Sequence, residues 1–147
     1  MSRLPPLPDA ELDEVIRIVG DWGSLQGARL FITGGTGFFG KWLLESLGHA
    51  NQELGLGLKA TVLSRDPNGF LQNMAHLRDT NWLSFQAGDI TSFQAPLGTF
   101  THLLHGAASS DARDYAIGPD VMKRDIVEGP AGSWNSCRGN LHSACFS

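Results

Sequence analysis

Three glycines at three-residue intervals, Gly34, Gly37 and Gly40, form the pattern in this sequence that is best suited to bind a ligand. They lie between a short apolar segment, 28–33, and a segment with helical spacing of apolar residues, 41–49. Between a strand and a helix, such glycines allow a tight turn, a close approach of phosphate to the backbone, and close packing of helix on strand. Amides at the helix start would face the anion. The sequence therefore predicts a nucleotide-binding loop, with a glycine-rich turn without ligand as the alternative.

The residues after the second predicted strand, Ser64, Arg65 and Asp66, bear on the choice of cofactor. An acidic side chain here would bind the ribose 2′-hydroxyl of NAD, and a basic one would accommodate the 2′-phosphate of NADP. Arg65 could contact that phosphate through two hydrogen bonds, whereas Asp66 could serve NAD if the strand ended one residue later. We therefore expect NADP rather than NAD, and a surface arginine without a ligand is the alternative.

Helices and strands alternate along the chain. Apolar spacing predicts strands at 28–33, 58–64, 82–87 and 100–108, and helices at 9–19, 41–49, 67–77 and 120–128. Such alternation favours parallel strands joined by right-handed crossovers. We predict an α/β fold, a Rossmann-like doubly wound parallel sheet with strand order 3-2-1-4, truncated after about four strands. Residues 1–27 would form an N-terminal extension with a short amphipathic helix, and 28–129 a partial NAD(P)-binding domain.

Four ordered segments resemble the extended short-chain dehydrogenase/reductases, the NAD-dependent epimerase/dehydratase family. They are TGGTGFFG at 33–40, VLSRDP at 62–67, GDI at 88–90 and HLLHGAA at 102–108. The resemblance implies that Asp89 and Ile90 border the adenine, and that Ala107 and Ala108 line the cofactor near its ribose. Judged from residue type alone, Asp89 would be a turn residue. The full set of implied cofactor-binding residues is Gly34, Gly37, Phe38, Phe39, Gly40, Ser64, Arg65, Asp89, Ile90, Ala107 and Ala108.

The catalytic pair of that family, a Tyr followed four residues later by a Lys, is missing from this sequence. Tyr115 is the one tyrosine, and Pro119 stands four residues after it. We therefore expect no catalytic residue here, and interpret the chain as the NAD(P)-binding N-terminal portion of a nucleotide-sugar epimerase/dehydratase-like oxidoreductase. The family acts on nucleotide sugars or small carbonyl compounds. A non-catalytic NADP-binding or sensor protein and a non-functional truncated product are the alternatives.

The resemblance ends at Pro130. Residues 130–147 show no helical period and contain both cysteines, Cys137 and Cys145. If one base was lost in the codon of Gly129, the original reading frame would permit the family's helix to continue, so we interpret 130–147 as an aberrant, frameshifted and mobile tail. A genuine C-terminus and a spliced product are the alternatives. Under the frameshift interpretation, the fourth strand would lack its next neighbour in the sheet.

Composition limits the partners. The chain has 147 residues and a formal net charge of -4, so it lacks a basic field for nucleic acid or an anionic membrane. No apolar run approaches the roughly 20 residues needed to span a bilayer. Two cysteines give neither a disulfide framework nor a zinc pattern, and the five histidines show no ligand spacing. We expect one cytoplasmic domain with a dinucleotide cofactor, and neither a metal, nucleic acid nor a membrane as partner.

Overall fold

The computed structural model describes residues 4–89 and 99–106, and also the backbone of 142–145. Within these ranges three helices alternate with strands. The helices are α1 (Asp9–Val19), α2 (Phe38–Leu54) and α3 (Pro67–Asn73), and the strands are β1 (Arg29–Thr33), β2 (Lys59–Ser64), β3 (Leu83–Ala87), β4 (His102–His105) and β5 (His142–Cys145). Short 3-10 turns lie at Gly23–Leu25 and Ala75–Leu77. The helix predicted at 120–128 lies outside the described residues.

The strands form one parallel sheet in the order β3-β2-β1-β4-β5. The chain adds β2 and β3 on one side of β1 and then returns to add β4 on the other. The predicted α/β Rossmann-like fold and the order 3-2-1-4 are confirmed. Because the strand order reverses between β1 and β4, the crevice between the loops leaving these two strands is the place where open parallel sheets bind ligands.

The fifth strand corrects the expectation for the C-terminal segment. β5 pairs in parallel with β4, with His102 opposite His142 and His105 opposite Cys145. The expected open edge beside β4 is therefore wrong, and the sheet continues one strand beyond the predicted four. The mobility of the C-terminal segment stays a prediction. The sequence HSAC has little apolar character, so periodicity missed a strand that forms by backbone pairing with its neighbour. The remainder of 130–147 lies outside the described residues.

The main core lies between one face of the sheet and α1 and α2. Leu30 and Ile32 of β1 are buried there together with Leu44 and Leu47 of α2. α2 runs from Phe38 to Leu54, well beyond the predicted 41–49, and ends at Gly55 in the left-handed conformation that commonly terminates helices. This burial fixes α2 firmly over β1, so the start of the helix has a defined position relative to the end of the strand.

A buried carboxylate attaches the N-terminal segment to α2. Glu45 Oε2 accepts a hydrogen bond of 2.5 Å from the amide of Leu7, and its Oε1 lies 3.3 Å from Nε2 of His76 and 3.9 Å from Nζ of Lys41. Lys41 Nζ in turn donates to the carbonyl of Pro5 at 3.1 Å. The hydrogen bond from Leu7 to Oε2 and the two basic side chains near Oε1 offset the cost of burying this carboxylate.

Replacing Glu45 by Ala should therefore destabilise the fold by about 2 kcal/mol, since the Leu7 amide loses its acceptor and Lys41 loses a nearby carboxylate. Glu53→Ala, at an exposed position of the same helix, should change the free energy of unfolding by no more than about 0.5 kcal/mol. Urea unfolding of the two variants and the wild type measures both values. Equal effects would show that Glu45 contributes only helix propensity.

Candidate cofactor-binding site

The loops that could form a site leave the sheet at one edge. β1, β2, β3 and β4 are parallel and end at Thr33, Ser64, Ala87 and His105, so their carboxyl ends lie side by side. The amide of Gly88 donates to the carbonyl of Ser64 at 3.0 Å, and the amide of Gly106 donates to the carbonyl of Thr33 at 2.9 Å. These bonds keep the chain aligned for one residue beyond each pair of strands.

The turn from β1 into α2 requires glycine at several positions. Gly34 adopts a φ of +75°, which other residues rarely tolerate. A Cβ on Gly35 would lie 2.9 Å from Cγ1 of Val62, and a Cβ on Gly40 would lie 2.2 Å from the carbonyl carbon of Gly35. The first turn of α2 therefore rests directly on the backbone of the loop, and the loop rests on β2.

Gly37 differs from the other glycines of the loop. Its backbone is extended, with φ −82° and ψ −173°, and the nearest atom to an added Cβ is the carbonyl oxygen of Gly34 at 3.8 Å. Neither backbone conformation nor packing within the described residues requires glycine here. The missing side chain instead leaves the backbone accessible at the position where the helix begins.

The start of α2 offers hydrogen-bond donors. Within the described residues no side chain caps this helix, and its first turn contains no acidic residue. The first amides of a helix have no intrahelical acceptor, and the aligned dipoles of a 17-residue helix give this end partial positive charge. An anionic group placed beside Gly37 would meet both the amides and the charge.

Two aromatic rings stand beside these amides. Phe38 and Phe39 are the first residues of α2, and they are 77% and 84% exposed. Their rings meet edge to face with a centroid separation of 5.5 Å. They form an apolar surface next to the glycine loop.

The loop after β2 is organised by Asp66. Its Oδ1 accepts a hydrogen bond of 2.9 Å from the amide of Gly69 and so caps α3, with Pro67 at the first helical position as predicted. Ser64 is buried, and its hydroxyl accepts from the amide of Asp66 at 3.2 Å. Arg65 between them is exposed. Asp66 therefore has a clear structural role, while Arg65 faces solvent at the same edge of the sheet as the glycine loop.

The structure places most of the predicted cofactor-binding residues along this edge. Gly34, Gly37, Phe38, Phe39 and Gly40 form the loop and the first turn of α2, and Ser64 and Arg65 follow on the adjacent strand. Asp89, half-buried, lies two residues after the end of β3. Ile90, Ala107 and Ala108 lie outside the described residues.

Sequence reasoning missed a polar pair beneath the loop. Thr33 Oγ1 and His105 Nδ1 lie 2.6 Å apart, and both residues are buried. The spacing of the five histidines does not single out His105. The signal that could have found the pair is positional, because both residues come last in strands that neighbour each other in the 3-2-1-4 order.

Other kinds of site find no support in the described residues. In the parts of the chain that the structure covers, no three His, Cys, Asp or Glu residues are grouped to hold a metal ion. Over the same ranges, no helix combines the length and apolar character needed to cross a membrane.

Comparison with known proteins shows the fold. The sequence matches no protein-family model and no curated protein. The solved structure of Pen from Bacillus thuringiensis is similar, with 17% identity and a TM-score of 0.58 over 81% of this chain and 38% of that one. The reductase domain of the aureusimine biosynthetic cluster shares 20% identity and a TM-score of 0.50, over 95% and 41% of the two chains. This chain thus spans about two fifths of each structure.

A TehB-like S-adenosylmethionine-dependent methyltransferase from Corynebacterium glutamicum is similar at 13% identity and a TM-score of 0.46, over 93% of this chain and 69% of that one. Further methyltransferases occur among the similar structures. The similarity to Pen and to the reductase domain, at 17% and 20% identity, shows a shared Rossmann-like fold and nothing finer.

These comparisons correct three predictions. Membership of the epimerase/dehydratase family is not supported, and the nucleotide-sugar epimerase/dehydratase function and the preference for NADP are contradicted, because methyltransferases predominate among the similar structures. The physical reason is that the motifs behind the predictions describe strand ends and glycine turns. A Rossmann-like sheet builds such turns whichever adenosine-containing cofactor it holds.

The glycines of the loop should respond differently to substitution. Gly40→Ala places a Cβ inside contact distance of the Gly35 backbone and should cost about 3 kcal/mol of folding free energy, since two backbone segments must separate. Gly37→Ala meets no such contact and should change stability by less than about 0.5 kcal/mol. Thermal and urea unfolding would measure both. A large loss for Gly37→Ala would show that this glycine is required by the turn.

Proposed function

We propose that this domain binds a cofactor in which adenosine is joined to an anionic group, with the anion beside Gly37 at the start of α2. The observation that carries the proposal is the contrast within the glycine loop. Gly34, Gly35 and Gly40 are required by the turn and by packing, whereas Gly37 is required by neither. A ligand that approaches the backbone closely explains a glycine at that position.

The electrostatics of the loop support an anion as the nearest part of the ligand. Uncapped amides and the positive end of a 17-residue helix converge there, and such helix starts favour phosphate and carboxylate groups. The phosphates of a nucleotide and the carboxylate of S-adenosylmethionine share this chemistry. The proposal therefore concerns adenosine with an adjacent anion, and experiment distinguishes between the two sources.

Residues at the ends of β2 and β3 would hold the rest of the cofactor. The exposed Arg65 would add positive charge near the ribose, and Asp66 retains lone pairs for ribose hydroxyls beyond the one used on Gly69. Asp89 at the end of β3 would lie near the adenine. β2 lies beside β1, and β3 lies beyond β2, so the ends of these strands lie progressively farther from the glycine loop. The assignments follow this order.

Gly37→Val tests the proposal directly. Its branched side chain should block the approach to the helix start and weaken binding more than about tenfold, with little change in stability. Isothermal titration with S-adenosylhomocysteine and, separately, with ADP would measure the dissociation constants. Binding of S-adenosylhomocysteine but not ADP would identify a carboxylate at the loop. Binding of ADP but not S-adenosylhomocysteine would identify a phosphate there.

Gly55→Ala is the matched control, because Gly55 ends the same helix at a φ of +59° and faces open space. This variant should lose about 1 kcal/mol of stability and retain the wild-type affinity. If folded wild-type protein binds neither ligand at millimolar concentration, the proposed function is wrong. Equal losses of affinity in the two variants would place the ligand elsewhere.

The charge of Arg65 gives a second prediction. Arg65→Gln should weaken binding of the anionic ligand about fivefold at low salt, and less at high salt, because an exposed charge acts through a screened field. Arg29→Gln removes the same charge at the opposite end of the sheet, where β1 begins, and should leave affinity unchanged. Titrations at two salt concentrations measure the difference. A similar effect of both variants would mean that only net charge matters.

A further inference from the structure

A buried hydrogen bond joins the two strands between which the order of the sheet reverses. Thr33 and His105 are register partners in β1 and β4, and their Oγ1 and Nδ1 atoms lie 2.6 Å apart. Thr33 is 1% exposed and His105 is 6% exposed. The two residues are 72 positions apart in the sequence, so the contact forms only when the sheet is assembled.

The pair lies directly beneath the loop proposed to bind the cofactor. Gly34 follows Thr33, and Gly106 follows His105. The amide of Gly106 donates to the carbonyl of Thr33, and a Cβ on Gly106 would lie 3.3 Å from that carbonyl oxygen. Thr33 is thus held from the β4 side through both its side chain and its backbone.

The other side of the loop base is held by packing. Gly35 lies against Val62 of β2, so close that an added Cβ would be 2.9 Å from Cγ1. β2 and β4 therefore hold the two sides of the turn. The β4 side depends on hydrogen bonds, which are directional, and their loss leaves a polar atom of a buried histidine without this partner.

We infer that Thr33 and His105 are positioning residues, whose side-chain hydrogen bond fixes the base of the glycine loop and so sets the affinity of the cofactor site. The inference rests on the proposed function. A loop that is already held in its bound geometry loses little conformational entropy when the ligand binds. A loosened loop must become ordered on binding, and this loss of entropy weakens the affinity. The bond therefore affects ligand affinity although neither side chain need touch the ligand.

Paired substitutions test the bond. Thr33→Val keeps the shape and removes the hydroxyl, and it should raise the dissociation constant of S-adenosylhomocysteine or ADP about tenfold. Thr33→Ser keeps the hydroxyl and should stay within about threefold of the wild type. Leu103→Val, on the same strand as His105, loses packing without touching the polar pair. It should lower the melting temperature and leave the affinity unchanged.

Amide hydrogen exchange on the ligand-free protein separates this inference from the proposed function. The amides of Gly37 and Gly106 donate to Gly34 and Thr33, and Thr33→Val should speed their exchange about tenfold relative to Leu103→Val. If the wild type binds no ligand, the proposed function fails, and the exchange rates still decide whether the bond fixes the loop. Equal exchange in the two variants would overturn the inference, as would an unchanged affinity of Thr33→Val where the wild type binds.

The same test can be made from β4 if Thr33→Val does not fold. His105→Leu removes the polar partner, and His105→Asn keeps a polar atom at the δ position. The inference would be supported if His105→Leu loses affinity and exchanges its loop amides faster, while His105→Asn keeps both values near those of the wild type. Similar behaviour of the two variants would show that the ring contributes by packing alone.

Discussion

The close packing of α2 on the turn after β1 is the constraint on which the proposed site depends. Gly40 lies on the backbone of Gly35, and Gly35 lies on Val62, so helix, loop and second strand touch without intervening side chains. The burial of Leu44 and Leu47 against the sheet holds the helix in this position. As a result, the first amides of α2 emerge at the carboxyl edge of the sheet, where an anion can reach them.

Polar groups inside this domain stabilise particular junctions. Glu45 ties the N-terminal segment to α2 through Leu7, and the Thr33–His105 pair ties β1 to β4. Apolar contacts alone allow neighbouring arrangements of similar energy, whereas buried polar atoms demand particular partners. Both junctions involve elements that flank the glycine loop: α2 in the first case, and β1 with β4 in the second. Contacts on more than one side of the loop therefore fix its geometry.

The fold does not by itself determine which cofactor the domain binds. A Rossmann-like sheet presents a glycine turn, a helix start and a second strand end in nearly the same places in many proteins, including reductases and methyltransferases. Arg65 is one exposed side chain, and the prediction of NADP depended on it together with a family resemblance. What the described site itself shows is narrower: space at Gly37, donors at the start of α2, and a polar edge formed by β2 and β3.

Local sequence determined the elements and their order. Apolar period and glycine spacing located α1 and β1 to β3 within one residue and β4 within three residues. The parallel order 3-2-1-4 followed from right-handed crossovers, because these depend on neighbours along the chain. Tertiary structure alone decided the rest. β5 has no apolar period and exists through pairing with β4, and the contact of Thr33 with His105 joins residues far apart in sequence. The difference between Gly37 and the other glycines of the loop likewise appears only in the tertiary structure. The sequence shows four similar glycines, and in the structure a positive φ accounts for Gly34 and close packing accounts for Gly35 and Gly40.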